Sequence, residues 1–395
     1  MVPKYYEFQN QTKILSGEFA LENIPTELDF YQAKRPLILS DKVLEKIGSV
    51  QTVIDAIGEY IEITDIYTEI PQDSDMDIIN MLALKYKNLR CDSIIAIGGG
   101  SVIDTAKGLR MVVSQNVTNL EELVGAENIH YKTHIPFIAI PTTAGTGSEV
   151  TLVAVILNRM KKIKMEYISY FLLPDVAILD SRMTQSLPPK ATASTGMDAL
   201  CHGIESYSCM QKNPMSDAYA TAAIELIRDN LIQAVEKGKD KKVRLAMANA
   251  SLMAGVAFSN SMVGLVHAIG HSLGAISHVP HGDAMAILLP AVMEYNLDVL
   301  KEEYAKLYFY FVGEEEYIKM PKEKRAEAMI YEVKKLREVL HEKTGLPITL
   351  KQANVKKDNF QEIAKKAIND GAIIVNPKDA KEEDIIRILE KAYDA

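Results

Sequence analysis

The sequence predicts a two-domain chain, an α/β amino-terminal domain followed by an all-α carboxyl-terminal domain, and three observations predict it. At 395 residues the chain is too long for one ordinary core and suits two. Through the first half, short β-type runs bounded by turn residues alternate with helical patterns. After Asp180 long amphipathic stretches replace them.

In chain order, Pro36–Leu39, Ser93–Ile97, Ile135–Ile140, Val153–Leu157 and Val176–Leu179 read as strands, with helical stretches at Lys42–Gly58 and Asp75–Leu89. Strands alternating with helices predict βαβ units and a mainly parallel sheet, with ligands at the carboxyl ends of its strands. The basic run Lys161-Lys162-Ile163-Lys164 reads as a solvated turn. Ser181–Lys190, with Pro188-Pro189, marks the boundary, giving domains 1–183 and 184–395. Beyond it, Asp217–Val235, Val243–Met262, Ala284–Leu307 and Arg325–Glu342 read as helices.

A formal charge of -9 without a basic cluster argues against a nucleic-acid surface. Cys91, Cys201 and Cys209 are odd in number and lack paired spacing, which points to free thiols in a reducing cytoplasm. The start of the sequence lacks the apolar core of a signal peptide, and no apolar run approaches the ~18 residues of a membrane span. A soluble, cytoplasmic protein is expected.

Two loops carry the first chemical signal. Ile94–Ile97 runs into Gly98-Gly99-Gly100-Ser101, which opens a helical run through Asp104. Glycines allow close backbone approach, and a helix start presents free N–H groups to an anion such as a pyrophosphate. Close packing alone is the alternative. The second loop, Pro141-Thr142-Thr143-Ala144-Gly145-Thr146-Gly147-Ser148-Glu149, follows another strand and supplies hydroxyl and backbone donors for phosphate and ribose oxygens. The G-x-G-x-x-G fingerprint is absent, so a standard Rossmann domain is not indicated.

The second signal is a histidine cluster. Asp198 and His202 stand four residues apart on a helical stretch, His267 and His271 repeat the spacing, and His281 follows. Five of the eight histidines, including His278, lie in this apolar region. Any single pair is commonly a structural hydrogen bond. Two pairs and a nearby histidine in apolar helices suit one shared cation, Fe(II), Zn(II) or another divalent ion, with room for a substrate oxygen.

With these motifs in their order and spacing, together with Pro174–Asp180 and the Gly196–Tyr207 helix, the chain resembles the iron-containing (group III) alcohol dehydrogenases over nearly its whole length. The resemblance implies a dehydroquinate-synthase-like α/β domain, a helical metal-binding domain and an active site in the cleft between them. It implies Asp198, His202, His267 and His281 as metal ligands and catalytic groups, and His271 as a catalytic histidine near the nicotinamide. It implies cofactor contacts from Gly99, Gly100, Ser101, Asp104, Thr142, Thr143, Thr146 and Lys164, and from Asp41 beside the adenosine ribose. Two departures touch substrate identity and cofactor geometry: Met285 stands where the family often has Asn, and Ile70–Ser74 replaces a common Pro-Asn-Pro segment.

The expected reaction is metal-dependent hydride transfer between NAD or NADP and a small primary alcohol or aldehyde, with His271 relaying the alcohol proton. Phe258 suggests a narrow, dry pocket, and acidic Asp283 disfavours anionic substrates. Asp41 favours NAD(H) by repelling the 2′-phosphate of NADP, unless it merely caps the next helix. The rivals are a polyol- or phospho/carboxy-aldehyde-specific dehydrogenase of the same superfamily, a synthase using NAD transiently, and a non-catalytic nucleotide-binding protein. The expected partners are a small alcohol or aldehyde and further copies of the chain, as a homodimer or higher homo-oligomer.

Overall fold

The first half of the chain carries eight strands among the described residues: β1 (Lys13–Ser16), β2 (Pro36–Leu39), β3 (Asp65–Tyr67), β4 (Ser93–Gly98), β5 (Phe137–Pro141), β6 (Val153–Asn158), β7 (Ile163–Ile168) and β8 (Val176–Leu179). In this computed structural model the described residues are 3–125, 129, 133–161 and 163–394. Six strands form a wholly parallel sheet in the order β1-β8-β5-β4-β2-β3. The inner strands are apolar throughout because both faces are covered. Leu37, Leu39, Ile94, Ala96, Phe137 and Ala139 enter one core, whereas Ile38, Ile95, Ile97, Ile138, Ile140 and Ile178 enter the other. This is the period-2 alternation of a pleated strand.

The helices of this half are α1 (Ile24–Phe30), α2 (Lys42–Lys46), α3 (Ser49–Ile57), α4 (Met76–Asn88), α5 (Gly100–Gln115) and α6 (Ser181–Thr184). Asp75 caps α4 by accepting from Asp77 N and Ile78 N. The helix expected over Lys42–Gly58 is two helices, because Gly48 between them takes φ +86°. The run expected as a parallel strand at Val153–Leu157 instead pairs antiparallel with β7. Its burial alternates, so only one face is covered. The expected turn at Lys161–Lys164 is partly strand, since Ile163 and Lys164 begin β7; Lys162 lies outside the described residues. The edge strands β1 and β3 carry Lys13 and Asp65 and give little apolar signal.

The second half is helical: α7 (Pro189–Ser208), α8 (Pro214–Glu236), α9 (Lys241–Ser259), α10 (Leu265–Ser277), α11 (His281–Asn296), α12 (Lys301–Val312), α13 (Glu314–Lys319), α14 (Arg325–Thr344), α15 (Phe360–Ala367) and α16 (Glu382–Asp394). Asn213 opens α8 with a capping box and Pro214 at its first position, and Asp240 caps α9. The single helix expected over Ala284–Leu307 is divided into α11 and α12. Residues divide into one unit at Gln9–Leu187 and another at Pro188–Ala395. The described amino-terminal residues 3–8, expected with the α/β domain, group with the helical unit. Phe8 stacks on Tyr219 with ring centroids 5.8 Å apart, and this apolar contact holds the segment there. Among the described residues no helix is long and apolar enough to cross a membrane.

Candidate active site

In the helical unit, the one-turn spacing on α7 places Asp198 and His202 on a common face. His267 lies in the first turn of α10. A left-handed residue, His278 at φ 54°, ends α10 and lets His281 open α11 close by. His278 itself is exposed and outside the cluster. Oδ1 of Asp198 lies 3.9 Å from His202 Nε2, 3.9 Å from His267 Nε2 and 3.4 Å from His281 Nε2. All four donor atoms fall within 4.8 Å of one another. Four ligands ~2.1 Å from one ion would stand about 3.4 Å apart in an ideal tetrahedron. The donors therefore converge at the separation a shared cation needs, with modest tightening.

Their chemistry also fits. Asp198 Oδ1 and His267 Nε2 are buried without a hydrogen-bond partner among the described residues, which is costly in a dry interior. Burial pushes His202 down to about 3 against the pull of Asp198, and holds His267 well below the usual histidine range with help from His281. Both imidazoles are thus neutral, the form that ligates metal. Burial opposes ionisation of Asp198, but His202 and the other two facing histidines outweigh it, holding the carboxyl below its usual range. His281 keeps 40% of its side chain accessible against 3–5% for the other three, so the cluster is approached from its side.

Phe258 stacks on His202 at 4.2 Å between centroids, giving the cluster an apolar wall. His271 lies outside the four-donor set. Its ring stacks on His281 at 5.6 Å, and its Nδ1 pairs with Asp370 Oδ2 at 2.9 Å. Asp283, expected to disfavour anionic substrates, is buried and takes a hydrogen bond from Ser194 Oγ at 2.7 Å, which joins α11 to α7.

In the α/β unit the two loops meet. Thr142 N donates to Gly98 O across the ends of β5 and β4. A Cβ on Gly100 would come within 3.1 Å of Thr146 Cγ2, so glycine eases the approach of the two loops there. Gly99 caps α5, whose first N–H groups are placed for an anion. Thr143 and Thr146 are half-exposed, whereas Thr142 is buried. Ser101 Oγ donates to Gln72 O. Lys164 Nζ pairs with Asp73 Oδ1 at 2.9 Å. Asp41 Oδ1 accepts from Val43 N and Leu44 N, both at 2.9 Å, so it caps α2.

Most of the chain matches two family descriptions. Residues 11–181 match iron-containing alcohol dehydrogenase, and residues 192–393 match the C-terminal region of the Fe-containing alcohol dehydrogenase family. Alcohol dehydrogenase 4 of Saccharomyces cerevisiae (strain YJM789) is 35% identical over 385 residues, 96% of each chain. The chain belongs to the iron-containing alcohol dehydrogenase family. The NAD-dependent methanol dehydrogenase of Bacillus methanolicus is 34% identical over 377 residues, 95% of this chain and 97% of that one. The crystal structure of a 1,3-propanediol oxidoreductase superposes with a TM-score of 0.94 at 32% identity, covering 99% of this chain and 100% of the other. As a member of this family the chain is an alcohol dehydrogenase, an oxidoreductase, with the family's parallel α/β and helical architecture.

Within this iron-containing alcohol dehydrogenase, one expected contact serves another purpose. Asp104 turns inward, accepting from Ser148 Oγ at 2.7 Å and Val155 N at 3.0 Å, because its carboxylate is the partner those donors need inside the unit. Lys107, fully buried, joins it by donating to Ser148 Oγ, Thr151 O, Thr151 Oγ1 and Val153 O. Together they fasten the threonine loop to α5. Burial lowers Lys107 to about 8. Sequence reasoning also passed over Glu205, buried beside His267, and Asp370, the partner of His271. Glu205 was readable as the next residue on the Asp198–His202 face, three positions on; Asp370 gave no local signal.

Proposed function

We propose that the chain is a metal-dependent alcohol dehydrogenase and aldehyde reductase that moves hydride between NAD(H) or NADP(H) and a small primary alcohol or aldehyde. The observation that carries this reading is the convergence of Asp198, His202, His267 and His281, with two buried donor atoms awaiting a partner. Three imidazoles and one carboxylate suit Fe(II), with Zn(II) or another divalent ion as alternatives. Such an ion supplies Lewis acidity, lowering the pKa of an alcohol or polarising a carbonyl.

The chain's own groups supply the rest. Asp198, His202, His267 and His281 would hold the ion, and His281 marks the accessible approach. Phe258 limits water beside the cluster. His271, fixed by Asp370 through Nδ1, would receive or return the hydroxyl proton. In the other unit, Gly99, Gly100 and the start of α5 would take the pyrophosphate, with Ser101, Thr143 and Thr146 as hydroxyl donors and Lys164 as a cation. Thr142 would act through its backbone, and Asp41 would face the ribose while it caps α2.

The relatives named for methanol and for 1,3-propanediol support a small substrate. Asp283 accepts from Ser194 Oγ, and the apolar wall at Phe258 supports a small, apolar substrate. Three free, buried cysteines fit a reducing cytoplasm, and a homo-oligomer is the proposed assembly. A panel of alcohols and aldehydes run with NADH and NADPH after anaerobic iron loading tests the reading. Small primary substrates should lead. A phosphorylated or carboxylated aldehyde preferred by more than tenfold, roughly 1.4 kcal/mol in transition-state terms, overturns the substrate class.

A further inference from the structure

Glu205 makes two kinds of contact from one buried carboxylate. Oε1 accepts from Val266 N at 2.8 Å, at the start of α10, where the N-cap residue Gly264 has no side chain to do so. Oε2 lies 2.5 Å from His267 Nδ1 and receives the Cys201 thiol at 3.8 Å. A Cβ on Gly264 would come within 3.1 Å of Glu205 Oε1, so a side chain there would crowd the carboxylate. Val266 N–H and Cys201 S–H are donors, so the ionised carboxylate accepts from both, and its third partner, His267, donates to it as well. That places the proton of His267 on Nδ1 and leaves Nε2 bare toward Asp198 Oδ1, 3.9 Å away.

We propose that Glu205 is a positioning residue for the metal centre: it caps α10 and, through the same carboxylate, fixes the tautomer and direction of His267. The inference rests on the metal reading above. Asp198, His202 and Glu205 lie along one face of α7, so the helix carrying two donors also holds the third donor in register. A carboxylate behind a ligating histidine typically changes metal affinity by ~10–100-fold. Glutamine in its place keeps the volume but has one acceptor oxygen. It must either turn its NH2 toward Val266 N–H or let His267 carry its proton on Nε2.

The test uses full-length apoprotein titrated anaerobically with Co(II), read by visible absorption, with thermal melts to verify folding. Wild type should bind one Co(II) per chain, and Glu205→Gln and Glu205→Ala should bind at least tenfold more weakly. Cys201→Ala, which removes packing at the same spot, should stay within threefold. Equal binding by wild type and Glu205→Gln, or equal weakening in Cys201→Ala, overturns the assignment and leaves the metal reading standing. A wild type that takes up no Co(II) overturns both. Nitrogen-15 spectra of histidine-labelled wild-type apoprotein decide the matter without a Glu205 variant: an Nδ1 proton on His267 is expected, and an Nε2 proton contradicts it.

Discussion

Oδ1 of Asp198 lies 3.9 Å from Nε2 of His267, and neither atom has a hydrogen-bond partner among the described residues. Each such buried atom costs roughly 1–3 kcal/mol when left unpaired. A cation between them removes both penalties at once. The apoprotein is therefore expected to gain stability on adding metal, by about 2.7 kcal/mol at a hundredfold excess over Kd. Urea melts with and without Zn(II) measure it; unchanged midpoints in wild type contradict the shared-ion reading.

The donor cluster was legible in the sequence because each part obeys a local rule. Asp198 and His202 are one helical turn apart, as are His267 and His271. Which of the five histidines converge was not legible, because that depends on the turn at His278 that brings α11 back to α10. The family pattern, and not spacing, separated His281 from His278. In the sheet, apolar runs marked β2, β4, β5 and β8, while the polar edge strands β1 and β3 went unread. The direction of Asp104 and Asp283 was not legible: a carboxylate near a motif carries no mark of which way it turns, and here the hydroxyls of Ser148 and Ser194 donate to them.

Gly282 next to His281 is predicted to be intolerant of a side chain. A Cβ there would come within 2.5 Å of Ser194 O and 2.6 Å of Ser194 Oγ, and a backbone oxygen cannot swing away. Gly282→Ala should cost ~1–3 kcal/mol of stability and shift the start of α11, weakening metal binding. Urea melts and Co(II) titration check it. Wild-type values in both would mean that His281 does not depend on this close approach.

Asp41→Asn separates charge from capping, since asparagine caps a helix as well as aspartate does. If the carboxylate repels the 2′-phosphate, the kcat/KM ratio of NADH to NADPH should fall at least tenfold, about 1.4 kcal/mol, with the melting temperature unchanged. An unaltered ratio leaves Asp41 as the cap of α2 alone.

Glu149, at the end of the threonine loop, should give the α/β unit a pH signature. Burial pushes its pKa up to about 7, against backbone hydrogen bonding and the nearby Lys107, from an ordinary value of 4.5. The folded chain binds this proton more tightly, so the contribution is fully present below 4.5 and is lost as pH rises through 7. Relative to Glu149→Gln, wild type should lose on the order of 3 kcal/mol across that window. Parallel stability curves for the two proteins would contradict the shift.

The most direct test of the account is removal and return of the metal. Wild type stripped anaerobically with a chelator should lose oxidation of a small primary alcohol with NAD, and one equivalent of Fe(II) per chain should restore it, while His267→Ala neither retains metal nor recovers. Full turnover by the stripped protein, or stoichiometric metal and full activity in His267→Ala, would contradict it.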